Sequence, residues 1–314
     1  MSVRKDSTVL WLLLGMLALL GTGLFLPPWA VYLLTVALAR GLVVLGLLVL
    51  WRTGLVSFGQ ALFYALGGYA AGLLAQYAGI HDALLLLAVA LCVPVAAALL
   101  AGLLIARYRD IFFAMLTLAF SMILYGVLVK TEALGSTDGF NVQPPTFLGV
   151  ALGVRRTQLA LYALSCVISF LAAAGIHRYL SSPMGHLTTA IRDNEIRVEY
   201  LGVSVYRAIL VKFALAGALA GAGGGLAALA VGHIDPDMAY WTTSGEFVFV
   251  TIFAGIGNVA APFAGSILFE LIRTYAVQYS PYTWQLTLGV VLLLLILFLP
   301  NGLWSLFQRR RGRA

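Results

Sequence analysis

Few side chains in this 314-residue chain could carry chemistry, because only 10% of its residues are charged. The four histidines, His81, His177, His186 and His233, are scattered, without an HExxH or a paired Cys/His spacing, so no metal site is expected. None of the three lysines, Lys5, Lys130 and Lys212, completes a GxxxxGK[ST] phosphate loop, so the chain is not expected to hydrolyse ATP. Gly54-Leu55-Val56-Ser57 fits the serine motif of an intramembrane protease only loosely, and no mid-span histidine answers it. Enzymatic activity is not expected. What remains is charge in apolar surroundings. Arg40, Glu270 and Arg273 each lie in a long apolar run, where a charge is costly unless it faces a partner or water. Glu270 and Arg273 are one helical turn apart and can pair. Arg40 has no such local partner, and a structural ion pair with Glu270 and a polar lining of a translocation path account for it equally well. Ser57, Gln60, Thr117 and Ser121 are weaker candidates for such a lining, since a serine or threonine in a span commonly bonds its own backbone.

These residues must be positioned by membrane helices. With 62% hydrophobic residues the chain leaves no room for a charge-rich soluble domain, and the intervals between charges are apolar runs of bilayer-spanning length, about 20 residues. Reading from charge gap to charge gap places spans near 8–26, 30–50, 58–76, 83–105, 111–129, 157–177, 209–231, 245–257, 262–277 and 283–300. The chain reads as a single all-α transmembrane domain, 1–314, of about ten helices. The run 245–277 is too long for one span and contains Gly255, Gly257, Asn258 and Pro262, so it is read as a hairpin of two shorter helices. An even number of spans puts both termini on one side, and the distribution of basic residues assigns that side to the cytoplasm. That side collects Arg4, Lys5, Arg52, Arg107, Arg109, Arg178, Arg192, Arg197, Arg207, Lys212 and the tail arginines Arg309, Arg310, Arg311 and Arg313, leaving only Lys130, Arg155 and Arg156 outside. The net charge of +7 is thus a matter of topology, and nucleic-acid binding is not expected. Cys92 and Cys166 both sit in apolar runs and read as buried, inert thiols.

Two loops are long. The outer one, 131–156, carries GSTDGFNVQPP (135–145), a run of turn-forming residues. The inner one, 178–208, carries Leu187, Ile191, Ile196, Tyr200 and Leu201 at helical spacing among charges, the pattern of a short amphipathic helix, entered at Ser181-Ser182-Pro183. Gly217, Gly221 and Gly225, and Gly68 with Gly72, form small-residue stripes suited to close helix packing.

Several of these segments resemble the permease family of branched-chain amino-acid ABC importers, the LivH/LivM type and its LivM branch above all. GLVSFGQALFYALGGYAAGL (54–73), TLAFSMI (117–123) followed by GSTDGF (135–140), AIRDNE with LGV inside 182–226, FAGIGNVAAPFAGSIL (253–268) and PNGLW (300–304) are similar to family segments in the same order. The resemblance implies the transmembrane subunit of an ATP-driven, binding-protein-dependent importer of branched-chain or other hydrophobic amino acids, or of related small organic solutes. It implies a bacterial or archaeal cytoplasmic membrane, a second, LivH-like permease subunit, two ABC ATPase subunits that hold ATP and Mg, and a periplasmic or extracellular solute-binding protein. No cofactor is expected on this chain. The resemblance assigns the inner loop to coupling with the ATPase, through Ala190, Ile191, Arg192, Asp193, Asn194, Glu195 and Gly202, and places Thr137, Asp138 and Gly139 in the outer loop. Gln60 stands where the family often has histidine, and Glu199-Tyr200-Leu201-Gly202 keeps only the ends of the general importer's EAA-glycine pattern. The rival from another class is a stand-alone secondary transporter coupled to protons or ions through Arg40 and Glu270. It is disfavoured because Glu270 reads as the only acid well inside a span.

Overall fold

Helices, most of them apolar, account for most of the described residues in the computed structural model, which describes residues 8–279, 281–298 and 302–305. The terminal basic residues Arg4, Lys5, Arg309, Arg310, Arg311 and Arg313, counted above for orientation, lie outside the described residues, as do Pro300 and Asn301 of the PNGLW segment. Helices occupy every interval expected to span: α1 (Thr8–Gly23), α2 (Pro28–Arg52), α3 (Gln60–Ala78), α4 (Ala83–Ile105), α5 (Asp110–Lys130) and α6 (Val154–Leu180), then α9 (Val205–Val231), α10 (Trp241–Ala254), α11 (Ala261–Tyr279) and α12 (Trp284–Phe298). By length and composition α2, α4, α5, α6 and α9 are apolar enough to cross a membrane. Between α6 and α9 lie two short helices, α7 (Pro183–Asp193) and α8 (Glu195–Tyr200).

The packing is organised around α9. Its glycines strip side chains from three of its faces, so neighbouring backbones come into contact. A Cβ at Gly223 would collide with the Ala39 carbonyl of α2, one at Gly224 with the Tyr64 carbonyl of α3, and one at Gly221 with Pro94 and the Ala90 carbonyl of α4. Opposite Gly221, Gly67 of α3 is equally bare. The stripe read from Gly217, Gly221 and Gly225 therefore serves α4, while Gly223 and Gly224 serve two further helices. Beyond α2 lie α6 and α11, with Phe263 of α11 against Gly41. Helix α1 rests on α6, where Tyr162 covers Gly23 and donates its hydroxyl to the Leu19 carbonyl (2.7 Å).

Four sequence readings change. The third span does not begin as helix: residues 53–59 enter the bundle as non-helical chain with Leu55, Ser57 and Gly59 buried, and α3 starts only at Gln60. The hairpin is present as α10 and α11, broken at Gly255 (φ +84°), but α10 begins four residues before the expected 245. Lys212, counted among the cytoplasmic basic residues, lies in the second turn of α9, wholly buried, with no hydrogen-bond partner for its ammonium among the described residues. Cys92 is exposed on α4, while Cys166 is buried, and both are free thiols.

Candidate functional site

Where α2 begins and α9 ends, the bundle leaves a cavity of about 540 Å³. Trp29, Tyr32 and Val36 of α2 and Val231 of α9 give it an apolar wall, and His233, Asp235 and Asp237 a polar rim. Its floor holds Tyr64, Arg40, Glu270 and Arg273. Arg40 is at the middle of α2 because the chain runs 12 residues of helix from Pro28 to reach it. There its guanidinium donates to Glu246 Oε2 of α10 (Nη1, 2.9 Å). Its Nε lies 2.9 Å from Glu270 Oε1 of α11, a close charge pair in which neither atom has an aligned hydrogen bond among the described residues. Arg273 adds looser contacts, 3.5 Å to Glu246 and 3.9 Å to Glu270. Two cations and two anions thus neutralise one another across three helices, the condition under which buried charge is tolerated. Arg40 also stands over the Phe247 ring (6.0 Å), which packs edge-on against Tyr64 (5.2 Å).

Of the two alternatives left open for Arg40, the ion pair with Glu270 is present, and Arg40 also lines the cavity. Glu246 overturns the reading of Glu270 as the only acid within a span. Its signal was available in Asp235-Pro236, which starts the short turn leading into α10 and brings Glu246 into that helix's second turn. The other candidates lie elsewhere. Ser57, Gln60, Thr117 and Ser121 are all buried and none lines this cavity. Thr117 Oγ1 accepts the Phe58 N–H (3.1 Å) and donates to the Ala114 carbonyl (2.8 Å). Ser121 bonds the Ala239 carbonyl (2.8 Å), and Ser57 accepts the Gly59 N–H (3.3 Å).

At the opposite end of α2 and α9 the inner loop forms a bent helical appendage instead of one amphipathic helix. Ser182 caps α7 by accepting the Gly185 N–H. The chain breaks at Asn194 (φ −164°, ψ 103°), whose side chain then caps α8 through the Arg197 N–H (3.0 Å). The break splits the apolar stripe. Leu187 and Ile191 pack on the core with Ala190 beside them, whereas Ile196, Tyr200 and Leu201 are 65%, 86% and 79% exposed. Arg192, Asp193 and Asn194 are exposed, and the Arg192 stem meets Gly54 at the end of α2. Glu195 binds Arg109 in the α4–α5 link. Gly202 turns the chain toward α9 with φ +80°, a conformation in which a side chain is strained.

The outer loop is fixed in place. Phe140 and Asn141 (β1) pair antiparallel with Ile234 and His233 (β2), and His233 Nδ1 meets Asn141 Oδ1 at 2.9 Å. Gly139 (φ +67°) lies directly on the Ile234 carbonyl, and Thr137 donates to Asp138 (3.2 Å). Nothing in the turn-rich sequence of 135–145 specified this pairing, because two-residue strands leave no periodic signal.

A bundle of apolar helices, five of them long and apolar enough to cross a bilayer, with a charged cavity at one end and a polar helical appendage at the other, has the architecture of a multi-pass membrane protein. The chain belongs to the family described as the branched-chain amino acid transport system permease component, which matches residues 29–299. It is 28% identical over 286 residues to the high-affinity branched-chain amino acid transport system permease protein LivM of Salmonella typhimurium, covering 83% of this chain and 67% of that protein. It is likewise 28% identical over 292 residues to LivM of Escherichia coli, with the same shares. No solved structure matches the chain.

Proposed function

We propose that the chain is the transmembrane permease subunit of an ATP-driven, binding-protein-dependent importer of branched-chain or other hydrophobic amino acids. Ten crossings with both termini in the cytoplasm put α7–α8 inside and the cavity outside, in the cytoplasmic membrane of a bacterium or archaeon. The observation that carries this reading is the appendage, whose inner half packs on α6, α2 and α9 while Ile196, Tyr200 and Leu201 are left bare. An exposed apolar face on a short helix suits a groove in a partner protein. That partner is one of two ABC ATPase subunits, which hold ATP and Mg. Its closure reaches the permease through Glu195–Arg109 and through Gly202 into α9. Solute delivered beside the outer loop, at Thr137, Asp138 and Gly139, enters the cavity and meets Arg40 and Glu270. A LivH-like subunit supplies the other half of the path. Secondary transport is less well supported, because Glu246 and Glu270 are both already neutralised by Arg40 and Arg273.

The test is to tag the chain in its native membrane, purify it in mild detergent and identify what accompanies it. A second hydrophobic subunit and P-loop ATPases in stoichiometric amounts are expected, and Glu195→Ala should lower solute-stimulated ATP hydrolysis with the complex intact. Recovery of the chain alone, still moving solute in proteoliposomes without ATP, would overturn the proposal.

A further inference from the structure

One helical turn from Tyr64 of the cavity floor, on the same face of α3 and deeper in the bundle, stands Gln60. It is fully buried, and among the described residues neither its Oε1 nor its Nε2 has a hydrogen-bond partner. Its amide could donate two hydrogen bonds and accept two. Gln60 is also the first residue of α3, so it marks a helix N-terminus inside the bundle. The backbone around that terminus is held by neighbouring hydroxyls: Phe58 N–H by Thr117 of α5 (3.1 Å), Gly59 N–H by Ser57 (3.3 Å) and Ala61 N–H by Ser244 of α10 (3.1 Å). Non-helical backbone at membrane depth persists only where protein buries it or a pathway needs it. Helix N-termini of this kind present a positive dipole end to anionic groups. A leucine at position 60 would leave no unpartnered amide, so the glutamine is costly in this conformation.

We propose that the α3 N-terminus with Gln60 is a second solute station beneath the cavity, where the solute's carboxylate accepts hydrogen bonds from the Gln60 amide. The Tyr64–Phe247 ring pair and Arg40 form the closed gate between the two. This inference rests on the reading of the chain as a permease subunit. Movement of α3 is what opens the gate: the Tyr64 backbone lies against the bare backbone of Gly224, and opening must part the Tyr64 ring from Phe247.

Right-side-out vesicles of the native membrane, loaded with ATP and given the solute-binding protein and radiolabelled leucine, report uptake, while the purified complex reports thermal stability. Gln60→Leu should lower uptake by about tenfold or more, the effect of losing one hydrogen bond to a charged group. Its thermal midpoint should hold or rise. Gln60→Asn should keep more uptake than Gln60→Leu, and Gln60→Glu should keep least, because its charge repels a carboxylate. Undiminished uptake with Gln60→Leu, or with Gln60→Glu, overturns the station. A midpoint that falls in step with uptake in the Leu and Asn variants shows a packing role and also overturns it. Failure of wild-type vesicles to take up leucine with ATP would instead strike the importer reading itself.

Discussion

Arg40 shows how a residue that looks isolated along the chain is supplied with partners by the fold. Its two carboxylates come from positions 206 and 230 residues away, Glu246 and Glu270. With side-chain exposures of 13%, 19% and 10%, the three groups have little water to fall back on. Arg40→Ala should therefore destabilise the folded subunit by about 3–5 kcal/mol, since it leaves two buried carboxylates with Arg273 as their one paired cation among the described residues. Adding Glu246→Gln and Glu270→Gln to that variant should restore most of the loss, as neutral amides need no counter-charge. Thermal unfolding in detergent measures both, and an Arg40→Ala protein as stable as wild type would show that the cluster is hydrated in use.

Helix α9 links the two ends of the molecule. It begins beside the appendage at Ser204, contributes Ala227, Ala228 and Val231 to the cavity, and ends at Gly232 next to the strand that holds the outer loop. Its glycine faces are what allow α2, α3 and α4 to surround it so closely. A methyl at Gly224 would meet the Tyr64 carbonyl, so Gly224→Ala should cost about 1–3 kcal/mol of stability by overpacking. Gly126 of α5, which has open space around its Cβ position, is the control: Gly126→Ala should be neutral or stabilise by roughly 0.5–1 kcal/mol through helix propensity alone. Equal effects at the two positions, read from thermal midpoints, would mean that α9 is not tightly packed against α3.

Over the whole molecule the basic residues are biased by end: Arg52, Arg107, Arg109, Arg178, Arg192, Arg197 and Arg207 gather with the appendage, against Lys130, Arg155 and Arg156 at the end of the outer loop, while acidic residues occur at both. Positive residues concentrate on the cytoplasmic side of membrane proteins, which sets the expected orientation. Single cysteines introduced beside Asp138 and Asp237 should react with an impermeant thiol reagent from outside, and those beside Asp193 and Asn258 only from inside. Labelling at Asn258 from outside would remove the α10–α11 hairpin as two crossings. Much of this plan was legible in the residues. Apolar runs bounded by charges placed the helices, Gly255 and Asn258 marked the break between α10 and α11, and Ser182-Pro183 marked the start of α7, because each is a local signal read within a turn or two. Motif order along the chain was enough to point to the family. The partners of Arg40, the division of the inner loop's apolar stripe between core and surface, the strand that pins the outer loop and the burial of Gln60 and Lys212 were decided only by tertiary structure. Hydropathy fixes whether a segment is apolar, but not which of its faces meets another helix, and a charge cluster built from α2, α10 and α11 exists only once those helices have packed.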